Sequence, residues 1–101
     1  MAFLLVILAC GSPEGDAQKA RDSVASWAAA GAMLAQEWTR GNVSDAYARS
    51  TARVAIEELH GFNAPARDAA LQAWRDLQDA VARNDREAAE RTIAAFARVA
   101  R

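Results

Sequence analysis

The 101-residue chain has a single histidine, a single cysteine and no glycine-rich phosphate loop. One histidine excludes any His-His or His-Cys metal spacing, and one cysteine excludes an intramolecular disulfide. Charge of one sign is missing as well: 12 basic residues stand against 13 acidic ones, interleaved rather than gathered into a stripe. That pattern argues against a phosphate-backbone binder, so no nucleic-acid partner is expected. Nor is there an apolar run of about 20 residues, the length a membrane-crossing helix requires. β-branched residues are sparse, which disfavours a sheet.

What the chain has instead is alanine, 27 of them, with eleven arginines and good helix formers from Asp16 onward. The expected fold is all-α, a small antiparallel up-down bundle of four helices, or three if one break is read through. The first helix is expected from about Glu14 or Asp16 to Arg40. Ala20, Val24, Trp27, Gly31, Leu34 and Trp38 repeat there at alternating spacings of four and three, a seam packed lengthwise against other helices. Gly31 on that seam reads as a point of close approach. Gly41 ends the helix and Asn42 or Ser44 caps the next, with Asp45 in its first turn.

The second segment runs to about His60, with Tyr47, Val54, Ala55, Leu59 and then Phe62 as its apolar positions, and Gly61 as a left-handed terminator. Asn63-Ala64-Pro65 reads as cap, first residue and early proline of the third helix, whose seam is Ala70, Trp74, Leu77 and Val81 flanked by Leu71. Asn84-Asp85 is the break that decides between three and four helices, and Asp85 is a good N-cap. The last helix, Arg86 to Ala100, shows Ala89, Ile93, Phe96 and Val99 on one face.

Ahead of the bundle lies Met1-Ala2-Phe3-Leu4-Leu5-Val6-Ile7-Leu8-Ala9-Cys10, uninterrupted apolar sequence followed by the turn formers Gly11-Ser12-Pro13. It is half the length of a membrane span and ends in a small residue, the form of a secretory signal core. Ile7-Leu8-Ala9-Cys10 resembles the lipobox of bacterial lipoproteins. The resemblance implies cleavage between Ala9 and Cys10 and a lipid on the Cys10 thiol. Residues 1–9 are then a signal peptide, 10–15 the lipidated cysteine with a short tether, and 16–101 the helical domain. The lipid is the membrane contact, and Gly11 resembles the outer-membrane default of that family where an organism has two membranes. The run has no preceding Lys or Arg, which leaves open a start further upstream. The competing reading is an ordinary buried thiol in an apolar N-terminal element.

Chemistry-bearing constellations are few. His60, at the end of the second helix, reads as a helix-end residue rather than a catalytic one. Glu57-Glu58 diverge by about 100° on a helix. Asp76 and Asp79 share a face, but Arg75 and Arg83 stand four residues either side of Asp79, which reads as a solvated ion-pair surface. Asp45 with Arg49, Arg53 with Glu57, Arg86 with Glu90 and Glu87 with Arg91 repeat the same spacing. Trp27, Trp38 and Trp74 have two readings: bulky fillers of an alanine-rich core, or contacts for a partner or an apolar ligand, with Tyr47 and Phe62 extending the cleft. No cofactor or metal is expected, and an enzyme is not. The functional expectation is a lipid-anchored, non-catalytic binding or structural module of the cell envelope, with a protein partner or a homodimer covering part of its surface. The alternatives are a periplasmic carrier of an apolar small molecule and, if the N-terminus is no signal, a cytosolic helical adaptor.

Overall fold

A computed structural model describes residues 13–101 as four helices: α1 Pro13–Thr39, α2 Asp45–His60, α3 Arg67–Ala82 and α4 Arg86–Ala100. Among the described residues there is no strand. Cys10 and the rest of the lipobox-like segment lie outside them. Helix α1 takes in Pro13, Glu14 and Gly15, so the stretch expected as tether is shorter than the sequence reading had it. A proline at the first helical residue sacrifices no backbone hydrogen bond, which lets the helix begin that early.

The four-helix alternative holds because the chain reverses at Asn84. Its φ is +53°, its N–H donates to Val81 O (3.1 Å), and the Asp85 N–H donates to Ala80 O (2.8 Å). The end of α1 is built the same way: Gly41 at φ +79° donates to Trp38 O (3.0 Å), and Asn42 N–H donates to Glu37 O (2.8 Å). Both are paired-bond terminations that satisfy the last carbonyls with a left-handed residue. The following helices start from side-chain caps, Ser44 Oγ accepting from Tyr47 N–H (3.1 Å) and Asp85 Oδ1 from Ala88 N–H (3.0 Å).

The α2–α3 connection departs from expectation in two ways. Gly61 is right-handed, at φ −80°, and α2 ends in tight three-residue bonds, Gly61 N–H to Glu58 O (3.0 Å) and Phe62 N–H to Leu59 O (3.1 Å). Helix α3 begins at Arg67, not beside Asn63, with Ala66 at its cap position and no side-chain cap bond. The turn is held instead by Arg67, whose N–H bonds Ala64 O (3.1 Å) and whose guanidinium donates to Phe62 O (3.1 Å). A right-handed end delays the chain's reversal, so the proline falls in the connecting turn.

The seams of α1 and α3 are buried where expected, with Val24, Gly31, Leu34, Trp38, Ala70, Leu71, Trp74, Leu77 and Val81 inside. Helix α2 corrects the sequence reading: its buried face is Ala48, Ala52, Ala55 and Leu59, while Tyr47 is 57% exposed and Val54 46%. Alanine faces let helices approach closely, and Tyr47 and Val54 are left outside. Helix α1 packs most extensively on α4 and only sparsely on α2, no more closely than across the bundle to α3. At the close α1–α4 contact, a Cβ placed on Gly31 would lie under 3.0 Å from the Phe96 ring, a separation real Cβ atoms essentially never show.

Candidate functional site

A groove follows the α2 edge of α1, walled opposite by the α2–α3 turn near the start of α1 and by the α1–α2 turn and α2 near its end. At the N-terminal end of α1, a depression of about 480 Å³ is bounded by Asp16, Lys19, Ala20, Ser23 and Phe62. It continues past Trp27, Asp22 and Ala30, which share Ser23 and Phe62 with the first depression. From Ala30 it passes to Met33, Leu34, Glu37, Val43, Tyr47 and Thr51 near the α1–α2 turn. These are open troughs joined end to end, not an enclosed cavity. Met33, 65% exposed, stands on one wall and Tyr47 on the other, with Val54 two helical turns further along the Tyr47 stripe.

The geometry separates the three tryptophans. Trp74 is fully buried, edge-on to Trp27 (centroids 6.3 Å) and to Phe96 (5.1 Å), and its Nε1 has no hydrogen-bond partner among the described residues. Trp38 is 1% exposed at the other end of α1. Its Nε1 donates to Asp45 Oδ1 (2.8 Å), and the Arg86 guanidinium lies 5.0 Å from its ring centre. Arg86 also donates to Trp38 O (2.9 Å) and Thr39 O (3.1 Å), placing a cation on the negative end of the α1 dipole. These contacts tie α1, α2 and α4 together at one end of the bundle. Only Trp27, half-buried, lines the groove. The three therefore do not form one pocket: two are core, one is a wall. Phe62 lies beside Trp27, as a cleft reading requires, whereas Tyr47 sits further along near Leu34.

The acidic pairs behave as a wet surface. Asp79 bonds Arg83 (3.0 Å), which also reaches Asp85 (3.6 Å), and Asp76 accepts from Gln72 Nε2 (2.8 Å). Arg75 leaves Asp79 and lies 3.4 Å from His60 Nε2, so the imidazole of this exposed helix end faces a guanidinium rather than a carboxylate. Among the described residues the other ion pairs are Arg40–Glu37 and Arg67–Asp68. Asp45–Arg49, Arg53–Glu57, Arg86–Glu90 and Glu87–Arg91 do not close within 4.0 Å. Asp45 is taken by Trp38 and Arg86 by the α1 carbonyls, contacts with better partial burial than a solvent-exposed i,i+4 pair.

Among the described residues no group of three His, Cys, Asp or Glu side chains could hold a metal ion, and no helix is long and apolar enough to cross a membrane. No family model, curated protein or solved structure matches this chain.

Proposed function

We propose that this chain is a lipid-anchored protein of a bacterial cell envelope, whose helical bundle works as a non-catalytic binding module. The observation that carries the binding reading is the groove along α1, where Trp27, Phe62, Met33 and Tyr47 line open troughs that share residues end to end. Exposed apolar surface organised into one strip is more typical of an interaction site than of scattered surface residues. The anchor reading rests on Ile7-Leu8-Ala9-Cys10. With a lipid on Cys10, α1 begins three residues away, within about 10 Å of chain. The Asp16–Phe62 end of the groove would then be the end nearer the bilayer.

Intact mass and detergent partitioning test the anchor, with the gene expressed in a bacterial host alongside Cys10→Ser. The wild type is expected to lose residues 1–9, gain acyl mass and enter the detergent phase, and the mutant to do none of these. A wild type that stays unprocessed and aqueous overturns the anchor and leaves a cytosolic adaptor with the same groove.

A further inference from the structure

We infer that the α1–α2 groove receives an amphipathic helix from a different polypeptide, one that carries Lys or Arg along the borders of its apolar face. The inference rests on the binding-module reading and not on the anchor.

Three observations converge on that occupant. The first is shape: the groove follows α1 from Asp16 to Glu37, about 32 Å at 1.5 Å per residue, the length of a helix of roughly 20 residues. An open trough of that length offers a helix a strip of anchors at successive turns, whereas a small molecule would leave most of it bare. The second is side-chain character. Trp27 and Phe62 near one end and Leu34 and Tyr47 near the other supply apolar contact, separated by small Ala30, which leaves room for a knob from the incoming helix.

The third is charge. Three carboxylates border the groove, Asp16, Asp22 and Glu37, against the single cation Lys19. Among the described residues Asp22 is met only by the neutral amide of Gln18 (2.9 Å), and Asp16 has no ion pair. Glu37 accepts from the neutral amide of Asn42 (2.7 Å) and has Arg40 only at 3.8 Å, a long exposed contact that neutralises little. A border of net negative charge selects for a basic partner and speeds its approach. It also disfavours a second copy of this chain, because a two-fold pair would face three acids and one lysine with the same set. The chain's own apolar Met1–Cys10 segment has no side-chain charge to answer the carboxylates.

The test titrates the full chain with two fluorescein-labelled 18-residue helical peptides of identical leucine pattern, one with lysine and one with glutamate at every polar position. Anisotropy and the summed tryptophan emission are read together, in the wild type and in Cys10→Ser, with Trp27→Phe as the control that assigns any shift to Trp27. The lysine peptide is expected to bind at least about tenfold tighter, with a blue shift in tryptophan emission, and equally in both proteins. The variant Asp16→Lys/Asp22→Lys/Glu37→Lys, checked for unchanged helicity by circular dichroism, is expected to reverse the preference. Equal affinity for the two peptides, or a preference that survives the charge reversal, overturns the inference. So does a concentration-dependent dimer in sedimentation that Met33→Glu abolishes, which would assign the groove to a second copy. Binding that appears only after residues 1–9 are removed would assign it to the chain's own N-terminal segment and equally overturn it. Because the peptides are compared in Cys10→Ser as well, loss of the anchor leaves the docking result standing, and loss of docking leaves the anchor result standing.

Discussion

Helix α1 meets α4 on one side and α2 on the other, and the two contacts are built from opposite choices of side chain. Towards α4 it offers Gly31, and the Phe96 ring occupies the space where a Cβ would be. Towards α2 it offers Met33 and Leu34, beside Val43, Tyr47 and Thr51. A missing side chain brings two helix axes together and seals the seam. On the other side Met33 and Tyr47 stand exposed rather than interlocked, and that seam is sparsely packed and open. One helix can thus spend one face on stability and leave another for binding.

Breaking the closed side carries the largest expected effect. Gly31→Leu is expected to destabilise by about 3 kcal/mol, read as a fall in the urea midpoint, because the Phe96 ring is enclosed and cannot retreat. Gly31→Ala combined with Phe96→Leu should recover part of what Gly31→Ala alone loses, a coupling that a double-mutant cycle measures. If Gly31→Leu left stability unchanged, the close approach would have no structural role. Next comes the clamp where the open seam is tied off. Trp38→Phe is expected to cost about 1.5 kcal/mol more than Trp74→Phe in chemical denaturation. Both substitutions remove the same atoms from the core, but only Trp38 loses a bond to a carboxylate, whereas Trp74 sheds a donor that has no acceptor.

Smaller effects separate the two turns that flank α2. Gly41→Ala is expected to cost about 1 kcal/mol for placing a Cβ in left-handed backbone, while Gly61→Ala should be neutral to slightly stabilising in thermal melts. Smallest of all are substitutions on the open side: Met33→Ser and Val54→Thr are expected within about 0.5 kcal/mol of wild type, since both side chains stand in water. An exposed groove residue that proved strongly stabilising would mean the seam closes in solution.

How far this molecule could be read from its sequence depended on where the volume lies. Helices α1 and α3 have Leu34, Trp38, Leu71, Trp74 and Leu77 on the buried seam, so spacing finds those faces. Helix α2 buries three alanines and one leucine, and alanine is as much at home outside as in. Its bulky Tyr47 and Val54 therefore pointed to the wrong stripe. Ser44 and Asp85 were legible because an N-cap acts through its own side chain. Gly61 was not, because glycine permits a left-handed turn without imposing one. The groove had no signature of its own: it arises from the separation of two helices, a property of packing rather than of any one segment. Trp27, Tyr47 and Phe62 are nonetheless legible as large apolar side chains at helical spacing, whereas Met33 has no periodic partner to mark it.

The unpaired indole N–H of Trp74 gives the molecule an internal clock. Sealed between Trp27 and Phe96, that proton can trade for deuterium only when neighbouring side chains swing aside and admit water. Its exchange lifetime would time the breathing of the bundle, and any ligand bearing down on Trp27 would slow it.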